Sequence, residues 1–502
     1  MHILITIDHP IDTACALVII FWLALVIQRL YFHPLSCFPG PPLAAITGFY
    51  RTYFEVIKGG EFLREIQNLH SLYGPVVRIG PNELHFNDYS AHAEIYSVGS
   101  QLTKDPSFYR CFGVDGSAFG AVNPCVSKIR RAFMNNFFSR RAMLQLEDMI
   151  RQKAVHLVSR LSNSKQPNNM FLAFRSATLD IITVHMFGHC VDALDHPDFC
   201  APLLLDIQTA IPLLWTIKSF PWIATLYLFL PKGVGLHLHE QFRAFLNVRQ
   251  TLIRWLNRSQ SEAEAHPFLH DQSICHQIFN PFNKPCHAYP SMQPVFDEIL
   301  SLIQAGSDTV GNTCTVGTFH VLNNDAVRLA LVEELKANWP NDEDPIDLSD
   351  LQDLPYLTAV VKESLRLSHG FVSPLPRIVG PMGAYIAGHY IPPKTTVGIS
   401  VTFVHLNPIL FPNPTQFMPE RWLQPSSTSL NKYLLSFSSG PRMCLGISMA
   451  WAELYMFFAY IFRKMDMRIV EFEYVSDFND FKDYFVPIYG GGQLHVIRAE
   501  YA

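Results

Sequence analysis

Residues 437–446 read Phe-Ser-Ser-Gly-Pro-Arg-Met-Cys-Leu-Gly, and a helical pattern begins directly after them at Ile447. Glycines at 440 and 446 allow the backbone to turn tightly around Cys444. The helix that follows would place the thiol beside a helix N-terminus, which favours the thiolate form. The ten cysteines of the chain include no C-x-x-C pair and no zinc spacing. The segment therefore predicts one reactive cysteine held in a tight loop.

This segment resembles the cysteine-loop signature of the cytochrome P450 family, F-x-x-G-x-R-x-C-x-G, at every fixed position. The resemblance implies that Cys444 is the thiolate ligand of the iron in haem b, that Arg442 pairs with a haem propionate, and that Phe437 packs against the porphyrin. The alternative is a glycine-rich turn around a buried free cysteine, and further segments of the chain argue against it.

A second segment, Glu363-Ser364-Leu365-Arg366, matches the E-x-x-R motif of the family and places its two charges one helical turn apart. Downstream, Pro419-Glu420-Arg421-Trp422 supplies another arginine. The resemblance implies that Glu363, Arg366 and Arg421 form a buried structural network. An ordinary surface ion pair is the alternative for the first two residues.

A third segment, Ala305-Gly306-Ser307-Asp308-Thr309, lies inside a long helical run and resembles the A-G-x-D-T motif of the distal helix in the family. Because a glycine inside a helix costs about 1 kcal/mol relative to alanine, we expect Gly306 to make room for dioxygen above the iron. The resemblance implies that Asp308 and Thr309 are catalytic and deliver protons to dioxygen as it is reduced. Alternatively, Thr309 only bonds to its own helix. Val310 stands where relatives often carry a second Thr or Ser.

Two further arginines match propionate partners of the family. Arg377 lies in Leu-Pro-Arg after the E-x-x-R motif, and Arg131 lies in the segment IRRAFMNNFFS. Surface arginines are the alternative for both. Ser127 stands four residues before Arg131, where many relatives carry His or Trp, so we expect weaker or different propionate binding at that edge.

Helical spacing predicts a mainly α protein with a small β region. The resemblance implies that this protein has the cytochrome P450 fold, which is a single large domain. The predicted helices cover 62–72, 140–161, 241–256, 295–322, 326–337, 357–367 and 447–463. The predicted strands cover 76–79, 83–86 and 396–399. The polar stretch 258–290, which contains Pro and His, predicts a surface loop.

Residues 13–28 carry no charge and predict a transmembrane helix that reaches about 30 Å when continued to Phe32. We divide the chain into an N-terminal membrane anchor (1–32), a Pro-rich hinge (33–45) and a catalytic domain (46–502). Arg29 and Arg51 follow the apolar run, which predicts a single-pass protein with a cytoplasmic catalytic domain. The resemblance implies that the membrane is that of the endoplasmic reticulum. A signal peptide and a buried helix are the alternatives. Residues 203–230 are also apolar, and we favour helices at a channel mouth over a second span.

The resemblance implies a haem-thiolate monooxygenase that uses dioxygen and receives NADPH-derived electrons from NADPH-cytochrome P450 reductase in trans. A net charge of −5 argues against nucleic-acid binding. By analogy, basic residues meet the reductase: Lys128, Arg130, Arg140 and Lys432. Apolar residues fall where relatives line the substrate pocket: Phe112, Phe119, Leu302, Ala305, Phe371, Val372, Ile488 and Tyr489.

These residues predict a lipophilic substrate. The hinge, the AGSDT segment and SPLPRIVG most resemble fungal members that tailor secondary metabolites, and we expect a terpenoid or polyketide. Fatty-acid or xenobiotic hydroxylation is the alternative. A family member that does not activate dioxygen, such as an isomerase or dehydratase, is a further alternative, although Asp308 and Thr309 argue against it.

Overall fold

The computed structural model describes residues 10–223, 240–265, 273–280, 289–425, 427–470, 478, 480–490 and 493–501. The longer helices are α1 (Pro10–Ile27), α2 (Phe62–Tyr73), α3 (Tyr89–Tyr96), α4 (Pro124–Phe138), α5 (Arg140–Asn163), α6 (Met170–Phe187), α7 (Pro202–Ala210), α8 (Glu240–Ala265), α9 (Met292–Leu322), α10 (Asp325–Asn338), α11 (Pro355–Ser368) and α12 (Ile447–Lys464). Shorter α-helices cover Pro42–Ile46, Phe49–Thr52, Pro106–Tyr109, Leu213–Ser219, Ile274–Phe279, Leu348–Gln352, Val401–His405 and Ser427–Leu430.

Several helix starts follow from local sequence. Asn123 precedes α4 and accepts hydrogen bonds from the backbone N–H groups of Cys125 and Val126, while Pro124 occupies the first helical position. Ser139 and Asn169 cap α5 and α6 in the same way. Such caps satisfy N–H groups that have no partner within the helix, which explains why the chain divides into helices at these residues.

The core of the body is the pair formed by α6 and α9, which lie along each other. Nearly every residue of α6 is buried. A Cβ atom on Gly306 would lie 2.9 Å from the Ile182 side chain of α6, and one on Gly311 would lie 2.8 Å from Cγ of Arg175. Gly306 is therefore needed for close packing of α9 on α6, and the expected room for dioxygen stays a prediction.

The strands are β1 (Val76–Gly80), β2 (Glu83–Phe86), β3 (Thr103–Lys104), β4 (Asn168–Asn169), β5 (Arg377–Ile378), β6 (Ala384–Ile386), β7 (His389–Ile391), β8 (Thr396–Gly398), β9 (Met467–Ile469), β10 (Phe481–Tyr484), β11 (Val486–Tyr489) and β12 (His495–Arg498). The largest sheet has the order β1-β2-β8-β5-β3. Smaller sheets join β4-β12-β9, β6-β7 and β10-β11. The predicted strands thus fall in one sheet, and the prediction of a mainly α protein with a small β region is confirmed.

The apolar segment Ile11–Phe32 is long and apolar enough to cross a membrane, and none of it is buried in the body. Its end is bonded to the body, because Arg78 donates to the carbonyl of Arg29 at 2.9 Å and Arg29 donates to that of Ile46. A Cβ on Gly40 would lie 2.3 Å from the Arg78 carbonyl oxygen, so the Pro-rich segment packs tightly on β1. These contacts join the Pro-rich segment and the end of the apolar segment to the body, while the division into anchor, hinge and catalytic domain stays a prediction.

Two predictions about loops and apolar stretches need revision. Residues 258–265 continue α8, and Ile274–Phe279 is a short helix in which Ile274 and Cys275 are fully buried, so the prediction of a surface loop is wrong there. The amphipathic pattern of α8 outweighs the polar composition. Residues 203–223 form α7 and Leu213–Ser219, and 224–230 lie outside the described residues. Met170–Phe187 also has the length of a span, but 89% of it is buried in the body.

Candidate functional site

The cysteine loop is closed by its own backbone. The N–H of Cys444 donates to the carbonyl of Phe437 at 2.9 Å. Gly440 has φ +72°, and a Cβ there would lie 1.9 Å from the carbonyl oxygen of Tyr96, so only glycine fits. Gly446 ends the loop one residue before α12, and a Cβ there would meet only Cδ1 of Phe138, at a van der Waals distance of 3.9 Å. The tight turn around Cys444 is thus required at Gly440 only.

Cys444 keeps accessible surface, yet burial among protein atoms raises the pKa of its thiol. The backbone N–H of Gly446 and the charge of Arg131 act in the opposite direction and stabilise the thiolate. A partly free thiol with a hydrogen-bond donor and a nearby cation has the chemistry of a metal ligand.

The second motif forms a closed network. Glu363 accepts from Arg366 at 2.7 and 3.0 Å and from Nε of Arg421 at 3.0 Å. The same carboxylate accepts from Nε1 of Trp422 and from the backbone N–H of Met418. Although burial opposes it, the charge of Arg366 leads the causes that lower the pKa of Glu363. We call Glu363, Arg366 and Arg421 the structural network.

Four cations lie together beside the cysteine loop, and we call Lys104, Arg131, Arg377 and Arg442 the cationic cluster. Lys104 and Arg377 stand directly opposite each other on β3 and β5, a pairing that like charges disfavour. Burial, followed by the charges of the three arginines, holds the pKa of Lys104 well below its ordinary value. Among the described residues, no carboxylate lies within ion-pair distance of the cluster.

Three members of the cationic cluster donate hydrogen bonds to neutral groups instead. Arg442 donates to the carbonyls of Ala118 and Ala121 and to the hydroxyl of Ser127. Arg377 donates to the Tyr109 hydroxyl at 2.8 Å, and Lys104 donates to the Phe119 carbonyl at 2.6 Å. Sequence reasoning missed Lys104, because its only signal is its pairing with Arg377 across strands 273 residues apart.

The loop before α4 is also bonded to α9. Glu298 accepts from the N–H of Ala118 at 2.7 Å and from the Tyr289 hydroxyl at 3.0 Å. Burial raises the pKa of Glu298 to about 7, opposed by these hydrogen bonds and by the charges of Arg130 and Arg131. Arg130 is itself buried, so its prediction as a surface contact for a reductase is wrong. Lys128, Arg140 and Lys432 are exposed.

On α9, Leu302, Ala305 and Thr309 share one helix face, and each keeps accessible surface. Thr309 donates to the Ala305 carbonyl at 3.0 Å, which is the bond to its own helix that the alternative to a catalytic role expects. Asp308 points elsewhere: its carboxylate accepts from Nε of Arg175 on α6 at 2.5 Å. Arg175 is fully buried and was missed, because nothing in the sequence links it to a residue 133 positions away.

Aromatic residues cluster around Phe485, in the turn between β10 and β11. Its ring centroid lies 5.0 Å from that of Phe112, 5.9 Å from Phe119 and 6.1 Å from Phe371. The predicted pocket residues Phe112, Phe119 and Phe371 thus meet at a residue that sequence reasoning missed. Phe437 instead lies 6.1 Å from Trp451, between ring centroids.

The other predicted pocket residues on this hairpin lie outside that aromatic group. Tyr489 packs on Phe478 at 4.7 Å between ring centroids, and the charges of Arg175 and Asp308 act on its hydroxyl. Ile488 pairs with Lys482 across the hairpin. Val372 is fully buried and donates its backbone N–H to the Phe485 carbonyl at 2.8 Å.

A helical body that places a thiol beside cations with no carboxylate partner among the described residues has the groups that a haem-thiolate protein needs, a ligand for the iron and partners for the propionates. Comparison with known proteins identifies the family, because the cytochrome P450 family model matches residues 39–491. The chain belongs to the cytochrome P450 family. The predicted enzyme class, a cytochrome P450 monooxygenase, is confirmed.

Relatives of similar length support this assignment. The chain is 33% identical to cytochrome P450 monooxygenase macH of Penicillium terrestre, over 88% of this chain and 89% of that protein. It is 34% identical to tryptophan 6-hydroxylase fscE of Fusarium equiseti, over 92% of this chain and 91% of that protein. The crystal structure of the cytochrome P450DA heme domain shares the fold, with a TM-score of 0.73, 16% identity, and coverage of 92% of this chain and 97% of that one.

The cofactor of the family is haem with a cysteine thiolate ligand. The residues of this chain fit haem, because its two propionates would supply the negative charge that the cationic cluster lacks. The cluster and the Cys444 thiol are also neighbours, since the charge of Arg131 acts on the thiol and on Lys104.

Proposed function

We propose that Cys444 ligates the haem iron and that the cationic cluster holds the propionates of a membrane-anchored monooxygenase acting on a lipophilic secondary metabolite. The observation that carries this proposal is the group of four cations, of which Lys104 and Arg377 are buried, beside an accessible thiol. When bound, haem supplies the activation of dioxygen, with one oxygen atom entering substrate and the other leaving as water.

A carbon monoxide difference spectrum of the reduced protein tests the ligand. We expect a strongly red-shifted Soret band in the full chain and its loss in Cys444→Ser. The matched control is Cys125→Ser, which changes an exposed cysteine on α4 and should keep the band. A red-shifted band in Cys444→Ser, or none in the native chain, would contradict the proposal.

We further propose that Thr309 and Asp308 deliver protons. The Thr309 hydroxyl lies on the accessible face of α9 and can accept a proton while its own proton passes on. Asp308 is held by Arg175 through one oxygen, which leaves the other oxygen for exchange. Thr309→Ala should keep NADPH oxidation while hydrogen peroxide replaces product. Thr313→Ala, one turn further along α9, is the control, and unchanged coupling in Thr309→Ala would count against the role.

The relatives and the pocket together suggest the substrate. The matched relatives are fungal, and the aromatic cluster around Phe485 offers apolar walls. We propose that a terpenoid or polyketide skeleton binds there. Expression with a fungal reductase, followed by mass spectrometry of fed terpenoids, polyketides and fatty acids, tests this choice. Oxidation of fatty acids alone would favour the alternative.

The apolar helix supports a place in the membrane of the endoplasmic reticulum, with electrons from NADPH-cytochrome P450 reductase. The exposed basic residues Lys128, Arg140 and Lys432 are the proposed contacts for that reductase. Protease treatment of sealed microsomes should remove a tag at the C-terminus if the catalytic domain is cytoplasmic. A protected tag would contradict the orientation.

A further inference from the structure

Phe485 adopts an unusual backbone conformation at the centre of the aromatic cluster. Its φ is +76°, in the left-handed region that bulky side chains rarely enter. Such conformations persist only where surrounding contacts enforce them, and they concentrate at functional sites. The contacts that hold Phe485 therefore indicate what this turn is for.

Asp483 provides those contacts. Its Oδ1 atom accepts from the backbone N–H of Phe485 at 3.0 Å and also from the hydroxyl of Ser373. Its backbone carbonyl accepts from Nε1 of Trp215 at 2.5 Å, and its backbone N–H donates to the Gly60 carbonyl at 2.8 Å. Asp483 thus connects the turn to three segments that are distant in sequence.

The Asp483 carboxyl is buried, and its hydrogen bonds come from neutral donors only. Burial raises the pKa of Asp483 to about 6, with Glu55 acting in the same direction and Lys218 against it. Burial of a carboxyl without a bonded cation costs free energy, so the groups that Asp483 binds must give the reason that a carboxyl stands here. What it holds is the turn that carries Phe485.

We propose that Asp483 is a positioning residue that keeps Phe485 in its left-handed conformation and thereby sets the wall of the substrate cavity. This inference rests on the proposed function, because the aromatic cluster is taken as that cavity. Phe485 contacts Phe112, Phe119 and Phe371, so a displaced turn would alter every aromatic contact of the wall.

Two haem-binding probes of different size test the inference in the full chain. Imidazole needs access to the iron alone, whereas 4-phenylimidazole also places a ring against the cavity wall. Spectral titrations give both dissociation constants for the native chain, Asp483→Ala, Phe485→Ala and the double variant. We expect Asp483→Ala to weaken the binding of 4-phenylimidazole by roughly 3- to 10-fold, which is the effect of losing about one aromatic contact. The dissociation constant of imidazole should not change.

The double variant distinguishes positioning from general damage. If Asp483 acts through Phe485, the double variant should bind 4-phenylimidazole no more weakly than Phe485→Ala. Asp483→Asn keeps the Oδ1 acceptor and should restore binding, and Asp480→Asn is the control at an exposed carboxylate nearby. Additive losses, or equal losses for both probes, would overturn the proposal.

Two measurements keep this result separate from the proposed function. A red-shifted carbon monoxide band in the native chain establishes the thiolate ligand before any variant is compared. If Asp483→Ala fails to bind haem, Ser373→Ala removes the second donor to the same oxygen and carries the same comparison. A missing band in the native chain would refute the haem assignment, whereas an intact band with unchanged probe ratios would refute only the role of Asp483.

Discussion

The structural network and the cationic cluster both bury guanidinium groups, but they are completed in different ways. In the network, one carboxylate receives two arginines, an indole N–H and a backbone N–H, and Arg366 fills its remaining donors with the carbonyls of His405, Pro414 and Gln416. In the cluster, Lys104, Arg377 and Arg442 donate only to carbonyl and hydroxyl oxygens.

This difference separates two tasks that the same side chains can perform. The network is complete within the polypeptide, so its contribution is to the fold. In the cluster, burial and the neighbouring positive charges make the charged forms less favourable, and they lower the pKa values of Lys104 and Arg442. Such a site is stabilised by an anionic ligand, and we expect its substitutions to change haem retention more than folding.

The largest expected effect is in the network. Glu363→Ala would leave two buried guanidinium groups without their carboxylate, at a cost of about 3–5 kcal/mol in the free energy of unfolding. We expect little haem-loaded protein, measured as the ratio of Soret to protein absorbance. Glu420→Ala, at the exposed carboxylate next to Arg421, is the control. Normal haem incorporation in Glu363→Ala would contradict the structural role.

The network could be predicted from sequence because each of its motifs is short and local. Glu363 and Arg366 are one helical turn apart, and Arg421 lies in a four-residue motif of its own. The helix bounds were predicted to within a few residues for the same reason, since periodicity and caps are local signals. Residues 258–265 were one exception, because a polar composition concealed the end of α8. The helices α3, α4 and α6 were not predicted, although α6 lies at the centre of the core.

The second prediction concerns Glu298. The pKa of its buried carboxyl is raised, whereas that of Glu363 is lowered. The unfolded carboxyl releases its proton near pH 4.5, while the folded one keeps it to about pH 7. The folded chain therefore binds more protons between these values, and stability falls as pH rises through them by up to about 3 kcal/mol. Above pH 7 this contribution no longer changes.

Glu298→Gln removes that titration. We expect the urea midpoint of the variant to vary less between pH 5 and 7 than that of the native chain. Glu333→Gln, an exposed position on α10, is the control and should keep the native slope. If the native chain and Glu298→Gln show the same pH slope, the carboxyl does not titrate in this range.

The third prediction tests the cationic cluster itself. Lys104→Met keeps most of the side-chain length and removes one of the four charges beside the propionates. Loss of one charge-assisted contact should speed haem transfer to apomyoglobin by about tenfold, with little change in the urea midpoint. Lys336→Met, on the exposed face of α10, is the control. A lower urea midpoint with unchanged haem transfer would mean that Lys104 stabilises the fold and does not hold the haem.

The residues that sequence reasoning missed share one property: each acts through a partner far along the chain. Lys104 faces Arg377 across two short strands, and Arg175 reaches Asp308 from another helix. Phe485 contacts Phe112 and Phe371, which lie in two segments far from it in the sequence. Even Gly306, found by its motif, has a packing reason that depends on Ile182 of α6. These pairings form only in the assembled fold, so no local sequence pattern predicts them.

The smallest expected effect is at Ser127, which stands where many relatives carry His or Trp. In this chain the Ser127 hydroxyl accepts from Arg442 and donates to the Ala118 carbonyl at 3.1 Å, so it helps to hold an arginine of the cluster in place. Ser127→Ala removes both hydrogen bonds of the hydroxyl. Loss of the one that holds Arg442, worth about 1 kcal/mol, should make haem transfer to apomyoglobin about fivefold faster. Ser71→Ala, at an exposed hydroxyl on α2, is the control. Slower transfer in Ser127→Ala would mean that Arg442 binds the propionate better once released from Ser127, and the serine would then be a competitor of the cofactor within the cluster.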